Sequence, residues 1–301
     1  TVDRIEEMVT TAIDALGSRS TLTNVYLAAC GGSYALMIPL QQIVESGSVL
    51  PAHALNSREF TTRAPKALGP GSVVIVCSHS GDTPETVEAA RFGREQGALT
   101  IALTHRLDSP LAEAAEYVIG YQHGDDKRYA YTAAPLLYRL VHGLIDQVEG
   151  TIMLAAATAA TLELDGLVAA LHTEHFQRAD VWAKAHSRSS LIYTMGSGPN
   201  YGTAYSFAIC LLQEMLWVHS QGINGAEYFH GPFEITDYDV PFLELLGLGV
   251  TRPIDQRAHD FVTTKSDDVL TLDAAEWDLS AIPEALRASY AHLVFSPLLR
   301  L

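Results

Sequence analysis

The chain has 301 residues, 48% of them hydrophobic and 18% charged, with a formal net charge of -16 at pH 7. That is enough apolar material for two domains of ordinary size and leaves no long segment with the composition of a disordered one. The acidic balance, with no basic stripe anywhere, argues against nucleic acid and anionic membrane as partners.

Val2 to Leu16 carries apolar residues at helical spacing, with acids in its first turn. Asn24 to Cys30 is a short β-type run ending in Gly31-Gly32-Ser33, and a helical run follows from Tyr34 to Val44. Val73 to Cys77 is wholly apolar, the kind of strand a parallel sheet buries on both faces. It ends in Ser78-His79-Ser80-Gly81-Asp82-Thr83, after which Pro84 to Gln96 reads as a helix closed by Gly97. Thr100 to Leu103 is the next strand, Ser109 to Ala115 a helix, and 117–119 a strand again. Tyr131 to Val148 and Ala155 to Ala185 read as long helices separated near Gly150. The pattern then restarts: Ser190 to Met195 is a strand, Gly196 to Pro199 a turn, and Ser206 to Trp217 an apolar helix. Val240 to Leu246 and Val269 to Leu272 are further strands.

Alternating strands and helices predict an α/β fold of two doubly wound parallel sheets, flavodoxin-like in winding, with helical N-terminal and linker segments. The domains are expected at 1–150 and 151–301. YLAACGGSYAL and IYTMGSGPNYGTAYS share a strand, Gly/Ser turn and helix layout, which suggests an internal duplication. The three cysteines, Cys30, Cys77 and Cys210, form no CxxC pair and lie in or beside apolar runs, as reduced, buried thiols of a cytoplasmic protein would. No signal peptide is evident, and no apolar run reaches the ~18 residues a membrane span needs.

Three stretches carry chemistry. The first, SHSGDT at 78–83, joins an apolar strand to a helix start, where free backbone N–H groups and hydroxyls attract an anion without help from lysine or arginine. An ordinary capped helix uses the same residue types, so that reading stays open. Gly31-Gly32-Ser33, at the end of another strand, would form the second wall of one crevice, which favours phosphate. GxxxxGK[ST] is absent, and Gly196, Gly198 and Gly202 miss GxGxxG spacing by one place, which disfavours nucleotide binding. The second is Glu214. On an α-helix it shares a face with Cys210, Leu211, Trp217 and Val218, so it is expected to be buried and desolvated, as suits a group that exchanges a proton near neutrality. A structural, paired glutamate is the alternative. The third is His230, between an aromatic pair and Gly231-Pro232, a rigid turn that would fix its direction. His172 and His175, three apart on a helix, read as a solvated face rather than metal ligands.

ACGGSYA (29–35), NSREF (56–60), SHSGDTPET (78–86) and the stretch from Gln213-Glu214 to AEYFHGPFE (226–234) resemble the sugar isomerase (SIS) domain family in its two-domain form. That form includes the isomerase half of glucosamine-6-phosphate synthase and the fructosamine-6-phosphate deglycases. The resemblance covers nearly the whole chain, and HGPFEITDYDVPF with LGLGVTRP is most similar to the deglycases.

It implies that Ser33, Ser78, His79, Ser80 and Thr83 hold a sugar phosphate, with His79 standing where the synthase has glutamine. Glu214 would move protons between carbons 1 and 2. His230 would assist ring opening, delivered across a homodimer interface so that the active site needs two chains. No metal or organic cofactor is implied. The synthase's C-terminal Schiff-base lysine has no counterpart here, the last lysine being Lys265. Leu211 stands where the synthase has a lysine before its glutamate, and no glutaminase region is seen. The expected activity is cleavage of a 6-phosphorylated fructosamine to glucose 6-phosphate and an amine. The alternatives are aldose–ketose isomerisation and a phosphosugar sensor without catalysis.

Overall fold

The computed structural model describes residues 1–19 and 21–300. The chain divides into two compact units, Thr1–Leu162 and Glu163–Leu301. The division falls inside a helix, 12 residues beyond the break expected at 150. Gly150 does end one helix in a left-handed cap (φ 69°), but the next, α7 (Met153–Ala185), starts at once, and its buried Ala157, Ala160 and Thr161 belong to the first unit.

The first unit opens with α1 (Val2–Gly17) and then runs β1 (Asn24–Ala29), α2 (Gly31–Gly47), β2 (Ala52–Asn56), α3 (Ser57–Arg63), β3 (Ser72–Cys77), α4 (Pro84–Glu95), β4 (Leu99–Thr104), α5 (Pro110–Ala114), β5 (Tyr117–Gly120) and α6 (Ala133–Glu149). The strands are parallel in the order β2-β1-β3-β4-β5. Every residue of β1, β3 and β4 is buried, which explains their unbroken apolar sequences: helices cover both faces. β2 and α3 were not legible in sequence, because an edge strand with only Ala52 buried offers no apolar run.

An ion pair fastens α1 to α6. Arg139, 4% exposed, sends Nη1 to Glu6 Oε1 at 3.0 Å and Nη2 to Oε2. That hydrogen bond, against the opposing effect of burial, holds the Glu6 carboxyl below its usual range. A depressed carboxylate pKa contributes stability above the unfolded value and loses it as pH falls through the folded one. Glu6→Gln is therefore expected to destabilise the fold by about 2 kcal/mol at pH 7, less than for a fully enclosed pair because Glu6 is partly solvated. Urea melts should show the difference shrinking towards zero as pH falls below 4.

The second unit contains β6 (Leu191–Gly196), α8 (Pro199–Ser206), β7 (His219–Asn224), β8 (Phe242–Leu246), α9 (Arg252–Val262), β9 (Val269–Asp273) and α10 (Glu284–Leu298). Its parallel strands run in the order β7-β6-β8-β9. That repeats the first four positions of the first sheet, as expected of a duplication. β7 gave no strand signal in sequence, since HSQGIN is polar and mostly open at the sheet edge.

Two other expectations change. Only Cys77 is buried; Cys30 and Cys210 are half-exposed, and all three thiols are free. One stretch of α7 has the length and composition of a membrane span, although it includes Glu163 and Asp165 and buries Leu164 and Leu171.

Candidate active site

β1 and β3 are neighbours, and the chain leaves them in opposite directions across the sheet, so a crevice opens at their carboxyl ends. Two helices begin there. α2 starts at Gly31 itself, three residues earlier than the sequence suggests, because Gly31 turns with φ +56°. Gly32 and Ser33 therefore lie in the first turn, where backbone N–H groups lack helical acceptors. No side chain caps α2 or α4.

Thr83, at the N-cap of α4, turns its hydroxyl instead to buried Ser78, the two oxygens sharing a hydrogen bond of 2.9 Å. Ser78 Oγ also accepts from Gly81 N–H (3.2 Å), and Ser80 Oγ accepts from Asp82 N–H (3.1 Å). Gly81 has φ +71°, and a Cβ there would meet Ser109 Oγ at 2.1 Å, so no other residue fits. The loop is thus built from its own hydrogen bonds, with amides and hydroxyls gathered at two helix starts. Asp82, the one acid in it, is drawn off by Arg106 at 2.7 Å.

His79 is exposed beside this loop. Its Nδ1 shares a hydrogen bond with Tyr121 Oη at 3.1 Å, and its ring stacks on His105 (5.3 Å between centroids) and meets His123 edge-on (4.3 Å). Burial, then the charges of His123 and His105, lower its pKa, so the ring is neutral at pH 7. Tyr121, His105 and His123 were missed in sequence. Tyr121 and His105 directly follow β5 and β4, so the rule that sites gather at strand carboxyl ends could have found them. Ser33 contributes a hydrogen bond to Cys77, whose burial pushes the thiol up to about 12 and leaves it unreactive.

In the second unit the expectation for Glu214 is overturned. Phe207–Met215 is a π-helix, with Leu216 N–H reaching Leu211 O at 3.0 Å, so side chains no longer align at α-helical spacing. Glu214 is exposed; of the residues expected to bury it, Trp217, at φ +58°, is 88% exposed and Cys210, Leu211 and Val218 are only half-buried, while Met215 and Leu216 beside it are exposed by 72% and 63%. The segment is displayed rather than packed within its own chain.

His230 closes a 3-10 turn, Tyr228–His230, and its N–H bonds to Glu227 O at 2.9 Å. Tyr228 is fully buried and Phe229 packs on Phe233 and Phe261, with the Arg257 guanidinium 4.1 Å over the Phe229 ring. The aromatic pair anchors the loop, and His230 is exposed beside it. His175, expected on a solvated face, is buried beside Trp277. Among the described residues no His, Cys, Asp or Glu group is arranged to hold a metal.

A buried acid that sequence reading passed over lies at the carboxyl edge of the second sheet. Asp255, 4% exposed on α9, accepts from Gly247 N–H at 3.2 Å. Burial raises its pKa to about 6, against hydrogen bonds from the side chain of Ser197 and from the backbone of Gly247 and Ser197.

Residues 22–140 match the model of the SIS domain. The fructosamine deglycase FrlB of Bacillus subtilis (strain 168) is 43% identical over 281 residues, covering 93% of this chain and 86% of the relative. The fructoselysine 6-phosphate deglycase of Escherichia coli (strain K12) is 31% identical over 272 residues, covering 90% and 76%. A Bacillus subtilis crystal structure described as a phosphosugar isomerase superposes with a TM-score of 0.95 at 42% identity, covering 98% of this chain and 90% of the other.

Proposed function

The chain belongs to the sugar isomerase (SIS) domain family, and from that premise we propose that it is a deglycase of 6-phosphorylated fructosamines. The observation that carries the reading is the anion cradle between β1 and β3: hydroxyls and two uncapped helix starts, with no basic side chain spent on it. Such a cradle suits a phosphomonoester dianion in a protein whose overall charge opposes it. The similarity to named deglycases over most of the chain supports the amine-releasing outcome.

The phosphate binds Ser33, Ser78, His79, Ser80 and Thr83. His230 of the partner subunit in a homodimer assists opening of the sugar ring. Glu214 then takes a proton from carbon 1 of the open ketosamine, and the electron pair forms an enolamine. Returning a proton to carbon 2 gives the imine at carbon 1. Water adds there, the carbon–nitrogen bond breaks, and glucose 6-phosphate and a free amine leave. No metal or organic cofactor enters this sequence. The exposed Met215, Leu216 and Trp217 beside Glu214 support the dimeric site, because a covering subunit would supply the desolvation that Glu214 lacks alone.

Assaying glucose 6-phosphate release from a panel of 6-phosphofructosamines, beside fructose 6-phosphate alone, tests the reading. Turnover of fructose 6-phosphate only would make the protein an isomerase, and binding without turnover a sensor. Ser78→Ala is expected to raise KM about tenfold with kcat little changed, since one hydrogen bond to a charged group is worth roughly 1.5–3 kcal/mol. Steady-state kinetics on the best substrate of the panel checks this.

A further inference from the structure

The duplicated fold gives the second sheet its own crevice. β6 and β8 adjoin as β1 and β3 do. The turn after β6 (Ser197-Gly198) corresponds to Gly31–Ser33, and the loop after β8 (Gly247 to Thr251), which leads into α9, corresponds to the serine loop that leads into α4. In the first unit this place is lined by hydroxyls and two uncapped helix starts. In the second it is filled. The Asp255 carboxylate reaches back from the first turn of α9, and Oδ2 takes the Gly247 N–H at 3.2 Å. Oδ1 and Ser197 Oγ are both buried, and among the described residues neither has a partner at full hydrogen-bond geometry. The carboxylate stands where an anion would stand.

The same residues touch the loop that ends in His230. Gly225 follows β7 and opens the turn towards Glu227 and His230, its N–H on Gly196 O at 3.3 Å. A Cβ on Gly225 would lie 2.5 Å from Ser197 Oγ and 3.7 Å from Asp255 Oδ1, so the turn rests directly on this pair. Glu227 N–H then bonds to Asn224 O, and His230 N–H to Glu227 O, each at 2.9 Å. A short path, a packing contact at Gly225 followed by backbone hydrogen bonds, therefore runs from the filled crevice to the histidine.

We propose that Asp255 is a positioning residue for His230: its carboxylate fills the anion cradle of the second unit and, through Ser197 and the Gly225 turn, fixes the loop that presents the histidine. The positioning half rests on the deglycase reading above; the filled cradle does not. A group raised towards neutrality by burial costs stability when it ionises, which is the mark of a residue kept for a task rather than for packing. Asp255 touches no substrate in this scheme. It acts on geometry, and geometry is where small displacements are costly.

Two measurements test it. In steady-state kinetics, Asp255→Ala is expected to lower kcat about a hundredfold, the effect of a displacement near 1 Å at a reacting group, with KM within about twofold because the phosphate is held by the other unit. Asp255→Asn, which keeps one acceptor oxygen for Gly247 N–H, should recover part of that rate, and Ser197→Ala should lose rate in the same direction. If folded Asp255→Ala and Ser197→Ala both keep kcat within about twofold, the positioning role is overturned. Should Asp255→Ala not fold, Ser197→Ala decides. The second measurement is a titration with inorganic phosphate followed by 31P NMR. Asp255→Ala or, failing that, Asp255→Ser, either of which empties the crevice, should gain a phosphate site that is absent from the parent and persists when Ser78→Ala is added. No gained site would overturn the filled cradle. A parent that turns over no phosphosugar would sink the deglycase reading and its positioning consequence, while the phosphate titration would still judge the cradle.

Discussion

Glu214→Gln is expected to lower turnover about a thousandfold, within the range of a lost acid/base group, while phosphosugar affinity stays within about twofold. The amide keeps the shape and hydrogen-bonding reach of the acid but cannot take the carbon 1 proton. It changes none of Ser33, Ser78, Ser80 and Thr83, the residues proposed to hold the phosphate. Glu214 is also exposed and makes no packing contribution that glutamine would remove, so a folding defect is not a competing explanation. Glucose 6-phosphate release measures the first quantity, and calorimetric titration with glucose 6-phosphate the second. A variant that keeps a tenth of the parent rate would remove Glu214 from the proton path.

The second large effect is a recovery. Glu214→Gln and His230→Ala homodimers, each expected to be nearly inactive, should regain about a quarter of the parent activity when unfolded together and refolded as a mixture. If each site takes Glu214 from one chain and His230 from the other, a mixed dimer has one site carrying both changes and one site carrying neither. Half of the dimers are mixed when subunits exchange at random, which gives about a quarter of all sites intact. If both residues act within one chain, every site keeps one defect and the mixture stays inactive. The structure makes the experiment worth doing. Glu214 stands among exposed Met215, Leu216 and Trp217, an apolar surface that a single chain leaves in water. Covering it would bury the acid, as the proton chemistry requires, by a contact that no intrachain spacing could encode.

Much of this was legible in residues. β1, β3 and β4 announced themselves as unbroken apolar runs because a parallel sheet buries both faces, and SHSGDT marked the crevice because such a loop draws on hydroxyls, glycine and a helix start. His230 drew notice because Tyr228-Phe229 and Gly231-Pro232 on either side of it are local devices. Glu214 was misread because its argument assumed 3.6 residues per turn. A π-helix breaks that spacing, and nothing in FAICLLQEM marks the change of period. β2 and β7, polar edge strands, carried too little pattern to be seen.

The sequence by itself determined the class of fold and singled out a serine loop, an acid and a histidine as candidates, since each was read from residues adjacent in the chain. Only the tertiary structure decided what depends on distant residues meeting. Glu214 is displayed rather than buried, the pKa of His79 is lowered by its partial burial and then by His123 and His105, and Asp255 occupies the cradle that its own unit would otherwise offer to an anion. Burial and electrostatic coupling are sums over neighbours that the fold selects, and a linear reading has no access to them until the chain has closed on itself.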